Sequence, residues 1–164
     1  PVFLITEMGT TEGVGNAALT VLLVAGAIGT LVGGRVADRV GIRPVLTVSL
    51  GVVVPLILAL LEVTEAVAFP LLAAIGFFLV GAFSISVVLG QEYLPNRIGV
   101  ASGVTLGAAI GFGGLVAWLL GLLADQSSLT TVMIVIAVLP LPGFLISLAL
   151  PDDNESAQPI EEPA

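Results

Sequence analysis

The sequence contains no cysteine, no histidine and no lysine. Without cysteine there is no disulfide, thiolate metal site or thiol nucleophile, and without histidine the commonest metal ligand and general base is gone. No metal or other cofactor is expected, and no enzyme chemistry. A nucleotide phosphate loop would lack its lysine, and the glycines between Gly9 and Gly15 match no dinucleotide pattern. Four arginines against twelve carboxylates, a net charge of −8, are also unsuited to a nucleic-acid backbone. Charge of both signs makes up 10% of the 164 residues. A soluble domain carries roughly 25%, so a water-soluble fold would have too little to cover its surface.

What the chain does have is apolar surface: 57% of its residues are hydrophobic and its mean hydropathy is +1.19. The few charges divide it into five charge-free runs, 13–34, 44–61, 66–91, 98–124 and 126–151. A helix rising about 1.5 Å per residue needs about 20 apolar residues to cross a hydrocarbon core roughly 30 Å thick. Four runs are long enough. The second is marginal, and Arg43 can lengthen it by snorkelling to the interface. None alternates in segments of about ten residues as a membrane barrel would. The expected architecture is an all-α polytopic transmembrane bundle of five complete spans. The opening residues 1–6 are apolar but too short to span, and read as the end of a sixth helix.

All four basic residues, Arg35, Arg39, Arg43 and Arg97, fall in the first and third connections, which a five-span chain puts on one side of the membrane. By the positive-inside rule that side is cytoplasmic. The turns at 62–65 and 125–128 then face outside and the C-terminus inside, in a multi-pass protein of the plasma membrane. The tail, 151–164, carries five carboxylates and no basic residue, cannot bury apolar surface and is expected to be disordered. Its Asn154-Glu155-Ser156 matches a glycosylation sequon, a chance match if the tail is cytoplasmic. The acidic, lysine-free composition suits a halophile's proteome, although the tail alone holds five of the twelve carboxylates.

Twenty glycines in so apolar a chain call for a packing reason. Gly99, Gly103, Gly107 and Gly111 recur every four residues and draw a bare ridge down the fourth span, and Gly29 and Gly33 form a shorter one on the first. In lipid, helices associate through close backbone approach at small residues, so the fourth span is expected to pack against another helix along this ridge. Such a ridge suits static packing, and it also suits one helix sliding on another. Pro55 in the second span and Pro140 and Pro142 in the middle of the fifth each remove a backbone donor and should kink their helices.

The most specific stretch joins the first two spans: Gly34-Arg35-Val36-Ala37-Asp38-Arg39-Val40-Gly41-Ile42-Arg43. A charge such as Arg35, Asp38 or Arg39 costs about 2.5–3.5 kcal/mol at mid-membrane, so this stretch must reach water or protein. Exposed ion pairs are worth only about 0–1 kcal/mol. The charges therefore read either as a solvated turn or as a latch of weak, exchangeable contacts. The pattern resembles the short cytoplasmic loop of the major facilitator superfamily: glycine, three residues, aspartate, arginine, any residue, glycine, two basic residues. Gly34, Asp38, Arg39, Gly41 and Arg43 fit, and Ile42 departs from it. The resemblance implies a loop that latches the two halves of a transporter on the cytoplasmic side.

A second stretch, residues 90–99 with Glu92, Pro95 and Arg97, followed by Ala101-Ser102-Gly103, resembles the link between helices ten and eleven of that superfamily. The likeness is closest to exporters of the fosmidomycin-resistance type. It implies that the five spans are helices eight to twelve of the C-terminal six-helix half, whose partner would be a missing N-terminal half. It also implies that Asp38 lies near the start of helix eleven, here Ile98 and Gly99, with Arg39 or Arg97 within reach.

Inside the spans the polar groups are hydroxyls and amides. Ser84, Ser86 and Thr105 are candidates to line a pathway, or else hydroxyls that bond back to their own helices. No carboxylate lies at mid-membrane depth, so the buried ionisable group of a proton relay would have to sit in the other half. Two functions remain. One is a secondary transporter exporting a small molecule by alternating access between two six-helix halves. The other is a non-transporting scaffold or assembly subunit that keeps the bundle. The lipid bilayer is a partner of both. If the arginines face the cytoplasm, Ser128→Cys will react with an impermeant thiol reagent added to intact cells and Ser156→Cys will not; the opposite labelling pattern overturns the topology.

Overall fold

A computed structural model describes residues 2–150, so the tail expected at 151–164 lies outside the described residues. These form helices and turns, with no strand among them: α1 (Val2–Glu7), α2 (Glu12–Val40), α3 (Ile42–Ala59), α4 (Glu65–Glu92), a 3₁₀ turn (Pro95–Arg97), α5 (Ile98–Gln126), α6 (Leu129–Val138) and α7 (Pro140–Leu148). Five stretches are long and apolar enough to cross a membrane: α2, α3, α4, the 3₁₀ turn with α5, and α6 with α7. The protein is a partial helix bundle of the kind the sequence implies.

Two helix starts are capped by hydroxyls. Thr11 Oγ1 accepts from the Val14 N–H at 3.4 Å, and Ser128 Oγ accepts from the Thr131 N–H at 3.2 Å. Each satisfies a donor that the first turn would otherwise leave open. Gly9, at φ 65°, turns the chain between α1 and α2, and Leu4 of α1 is buried beside Ala18, Val53 and Ile57.

The first span departs from expectation at its end. The stretch 34–43 is not a loop: α2 runs through Gly34, Arg35, Asp38 and Arg39 to Val40, and α3 starts at Ile42. Nothing between Gly34 and Val40 breaks a helix, so the hydrogen-bond ladder continues roughly 9 Å beyond the apolar run. The reversal falls on Gly41 alone, whose φ of 93° is the region where a side chain is strained and glycine is not. Its N–H still bonds the Ala37 carbonyl, at 2.9 Å.

The prolines behave unequally. Pro55 sits inside α3 without ending it. At the fifth span, Pro140 and Pro142 cannot donate to the carbonyls four residues back, and the helix divides at Leu139 into α6 and α7.

The glycine packing is real but lies elsewhere than on the four-residue ridge. At Gly99, Gly103, Gly107 and Gly111 an added Cβ would meet nothing within 4 Å. Ala101 is the buried residue of α5, which packs on α4 near its start and on α6. Among the described residues, then, the ridge has no helix against it, because α5 stands at the edge of the bundle. The close approach is between α2 and α4. A side chain at Gly29 would run into the Phe77 carbonyl, and one at Gly76 into the Leu22 carbonyl. A Cβ at Gly81 would come to 3.0 Å from the Gly29 carbonyl, and one at Gly26 to 2.7 Å from Val80 Cγ2.

Gly76→Ala therefore forces backbone apart and should destabilise the protein by roughly 1–3 kcal/mol, the usual range for overpacking. Gly34→Ala adds a methyl into open space and should be neutral or stabilising by about 0.5–1 kcal/mol, the helix penalty of glycine. Thermal unfolding of both variants in the same detergent tests this, and equal melting temperatures would refute the crossing.

Candidate functional site: the arginine end of the bundle

The one-residue reversal at Gly41 holds the last turns of α2 and the first turn of α3 side by side. The C-terminal part of α4 and the last turn of α7 reach the same end. Together they enclose an open cavity of about 1000 Å³, whose lining includes Gly34, Asp38, Arg39, Gly41, Arg43, Thr47, Ser84, Glu92 and Leu148. Five residues of the 34–43 motif thus meet Glu92 of the second motif and the candidate pathway residue Ser84 around one space.

The remaining sequence-predicted residues lie outside it. Arg35 Nη1 donates to the carbonyl of Leu31 in its own helix, at 3.2 Å. Pro95 opens the 3₁₀ turn and Arg97 ends it, both exposed. Ser86 Oγ bonds back to the Ala82 carbonyl at 2.8 Å, the intrahelical alternative. Thr105 faces α4, where a Cβ on Gly90 would come to 2.7 Å from its Oγ1. Beside it Gln91 Nε2 donates to Ser102 Oγ at 2.8 Å. These two contacts tie the start of α5 to the end of α4. The expected neighbourhood of Asp38 with Ile98 and Gly99 is not formed: neither residue lines the cavity, and α5 has α4, α6 and the 3₁₀ turn as its main neighbours.

One wall of the cavity is a polar seam between α3 and α7. Arg43 Nη2 donates to the Leu148 carbonyl at 2.9 Å, placing a cation at the C-terminus of α7, where the helix dipole is negative. One turn further along α3, the hydroxyls of Thr47 and Ser147 are 2.9 Å apart, and the buried Ser147 also donates to the Phe144 carbonyl at 2.7 Å. Gly51 makes room for the Phe144 ring, whose Cε2 lies 3.0 Å from where its Cβ would be. Sequence reasoning missed this seam. Its one signal is a hydroxyl in each of two apolar spans, and nothing in the sequence says that spans about a hundred residues apart are neighbours.

The charges in the cavity are two of each sign, Asp38 and Glu92 with Arg39 and Arg43. Asp38, Arg39 and Glu92 make no ion pair with any described residue. The cavity is open and these side chains are exposed, so pairing would add little. The end of the bundle can therefore hold charged or dipolar groups without committing any of these three to a fixed partner.

The Major Facilitator Superfamily model matches residues 1–164. The chain is 45% identical over 135 residues to an uncharacterized MFS-type transporter of Bacillus subtilis, YfnC, which covers 82% of this chain and 33% of that protein. It is 43% identical over 136 residues to the fosmidomycin resistance protein of Escherichia coli, covering 83% of this chain and 33% of that one. The match falls in the C-terminal part of both relatives, and the chain spans about a third of their length. No solved structure gives a significant match.

Proposed function

Because this chain belongs to the major facilitator superfamily, and is thus part of a multi-pass membrane transporter and not of an enzyme, we propose that it forms one wall of a secondary exporter. In this reading the cavity at the arginine end is the cytoplasmic latch of an alternating-access cycle. The observation that carries it is the meeting of Gly34, Asp38, Arg39, Gly41 and Arg43 with Ser84 and Glu92 around one space. A solvated turn would not need α4 and α7 to close around it. Both relatives favour transport over a scaffold role, and the likeness to a fosmidomycin resistance protein supports export of a small molecule across the plasma membrane.

Alternating access needs a second wall. The bare ridge Gly99–Gly103–Gly107–Gly111 on α5, open along its length, suits a helix from the rest of the transporter, which the relatives' length leaves room for. Asp38 is exposed and unpaired among the described residues, so it is free to meet a helix N-terminus or an arginine of that second wall when the cytoplasmic side closes. Such a contact is worth on the order of 1 kcal/mol, about a fivefold change in the ratio of the two states.

Fosmidomycin is the substrate to try first. The full-length transporter should raise the drug tolerance of a sensitive host. Asp38→Asn should reach the membrane at normal levels, transport several-fold more slowly, and leave Thr47→Cys, at the wall of the cavity, more reactive from the cytoplasmic side. Unchanged transport and unchanged reactivity would return the motif to a solvated turn. Absence of drug tolerance in the unmodified protein, with labelled drug uptake unaltered, would remove fosmidomycin as substrate.

A further inference from the structure

The contacts between α3 and α7 fix which residues of the two helices stand at the same depth. From the arginine end inward, Arg43 meets Leu148, Thr47 meets Ser147, and Gly51 meets Phe144. A Cβ on Gly143 would lie 3.3 Å from Leu50 Cδ1. The helices run antiparallel, so one turn further along brings Pro55 of α3 level with Pro140, at the break between α6 and α7. Beyond that level Ile57 and Ala137 share a buried cluster, in keeping with this register. Prolines in two different spans thus interrupt their helices at one depth. We propose that α3 and the last span share a hinge there, about which residues 42–54 of α3 swing together with α7 as a single arm. The proposal concerns motion within the bundle and does not rest on transport.

Each helix is weakened at this level by missing backbone donors. Pro55 has no N–H for the Gly51 carbonyl, and Pro140 and Pro142 have none for those of Ile136 and Val138. A helix bends most readily where its ladder is interrupted. In α3 the weakened turn also contains a glycine, and in the last span the interruption has gone as far as dividing the helix. The neighbouring pair differs. α2 contains no proline, and Pro70 of α4 falls in its second turn, before Gly76 and Gly81, so the α2–α4 crossing has both ladders whole.

On the arginine side of the hinge the two segments are fastened to each other. The Arg43–Leu148 and Thr47–Ser147 bonds, each 2.9 Å, and the Phe144 ring set against Gly51 hold them along the length of α7. The arm's other contacts permit movement. Ile42 and Leu46 rest on Ala82 and Ile85 of α4, an apolar contact that lipid chains can match. Its covalent link to α2 is Gly41, which has the widest choice of backbone angles. Arg43, Pro44, Thr47, Val48 and Leu148 of the arm form one side of the arginine-end cavity, and α2 and α4 form the other. A swing of the arm therefore changes the width of that cavity.

The test is pulsed electron paramagnetic resonance on the full-length protein in nanodiscs, with every other cysteine replaced and spin labels on Ile134→Cys and Ile146→Cys. Both positions are exposed, and they lie on opposite sides of the hinge, about 18 Å apart along a straight helix. The unmodified chain should give a broad distance distribution. Pro140→Ala with Pro142→Ala restores the missing donors and should narrow it at least twofold. Pro55→Ala should narrow it nearly as much, although it lies in the other helix and carries neither label. All three substitutions together should do no more than either set alone, as coupled sites do. Pro70→Ala, in α4, should leave the width unchanged. Thr47→Val, Phe144→Ala and Ser147→Ala together unfasten the arm with every proline in place, and in that background Pro55→Ala should lose most of its effect. Melting temperatures show whether each variant is folded; if Pro55→Ala is not, Pro55→Leu restores the same N–H and takes its place. A narrow distribution in the unmodified protein, or equal widths in all variants, makes the prolines static kinks and overturns the hinge. Narrowing by the Pro140 and Pro142 substitutions alone, or an effect of Pro55→Ala undiminished in the unfastened background, overturns the single arm.

Discussion

The backbones of α2 and α4 touch where their side chains are missing. In a bilayer, apolar side chains gain nothing by leaving lipid for protein, so two helices hold together only through packing close enough for dispersion forces and backbone dipoles to act. At Gly29 against Phe77, and Gly76 against Leu22, the approach is too tight for a methyl group. That crossing fixes the height and rotation of α4 relative to α2. It is why Ser84 and Glu92, far along the chain from Asp38 and Arg39, line the same cavity. If either helix slid by a turn, these groups would be displaced by about 5.4 Å and the cavity would lose one side.

The rest of the bundle divides by how firmly it is attached to that pair. α3 is held to α2 through Gly41 and to α7 through the Arg43, Thr47 and Ser147 contacts, with Phe144 set against Gly51. α5 is pinned beside α4 at its start by Gln91, Ser102 and Thr105, touches α6, and presents its glycine ridge outward. In the alternating-access cycle proposed above, a closely packed group of α2, α3, α4 and α7 with one lightly attached helix suits a wall that meets a second wall. The smooth ridge lies on the helix that is least constrained by its own chain.

Fold class and span number were legible because they depend on quantities additive along the sequence, namely length, apolarity and the position of charge. The motif at 34–43 was legible as a unit, and its residues do converge. Its helical conformation was not, since polarity shows where a chain leaves the membrane and not whether its hydrogen-bond ladder stops there; only Gly41 needs a conformation that other residues avoid. The glycine contact was misplaced for a related reason. A spacing of four marks a face of one helix, whereas the actual crossing draws Gly76 and Gly81, five residues apart, against Gly26 and Gly29. Complementarity between two helices is invisible to a count made on either alone. The same limit hid the hydroxyls of Thr47 and Ser147.

The single-residue reversal at Gly41 also bears on how the protein is made. Helices joined by a long loop can enter the bilayer one after the other and settle at independent depths. With one residue between Val40 and Ile42 there is no slack to lend, so α2 and α3 must be lodged in the membrane as a hairpin, each setting the other's depth to within about one turn. The short, marginal α3 is thus tied in depth to its longer neighbour. A lengthened linker at this point would uncouple the two insertions while leaving every contact of the finished bundle available.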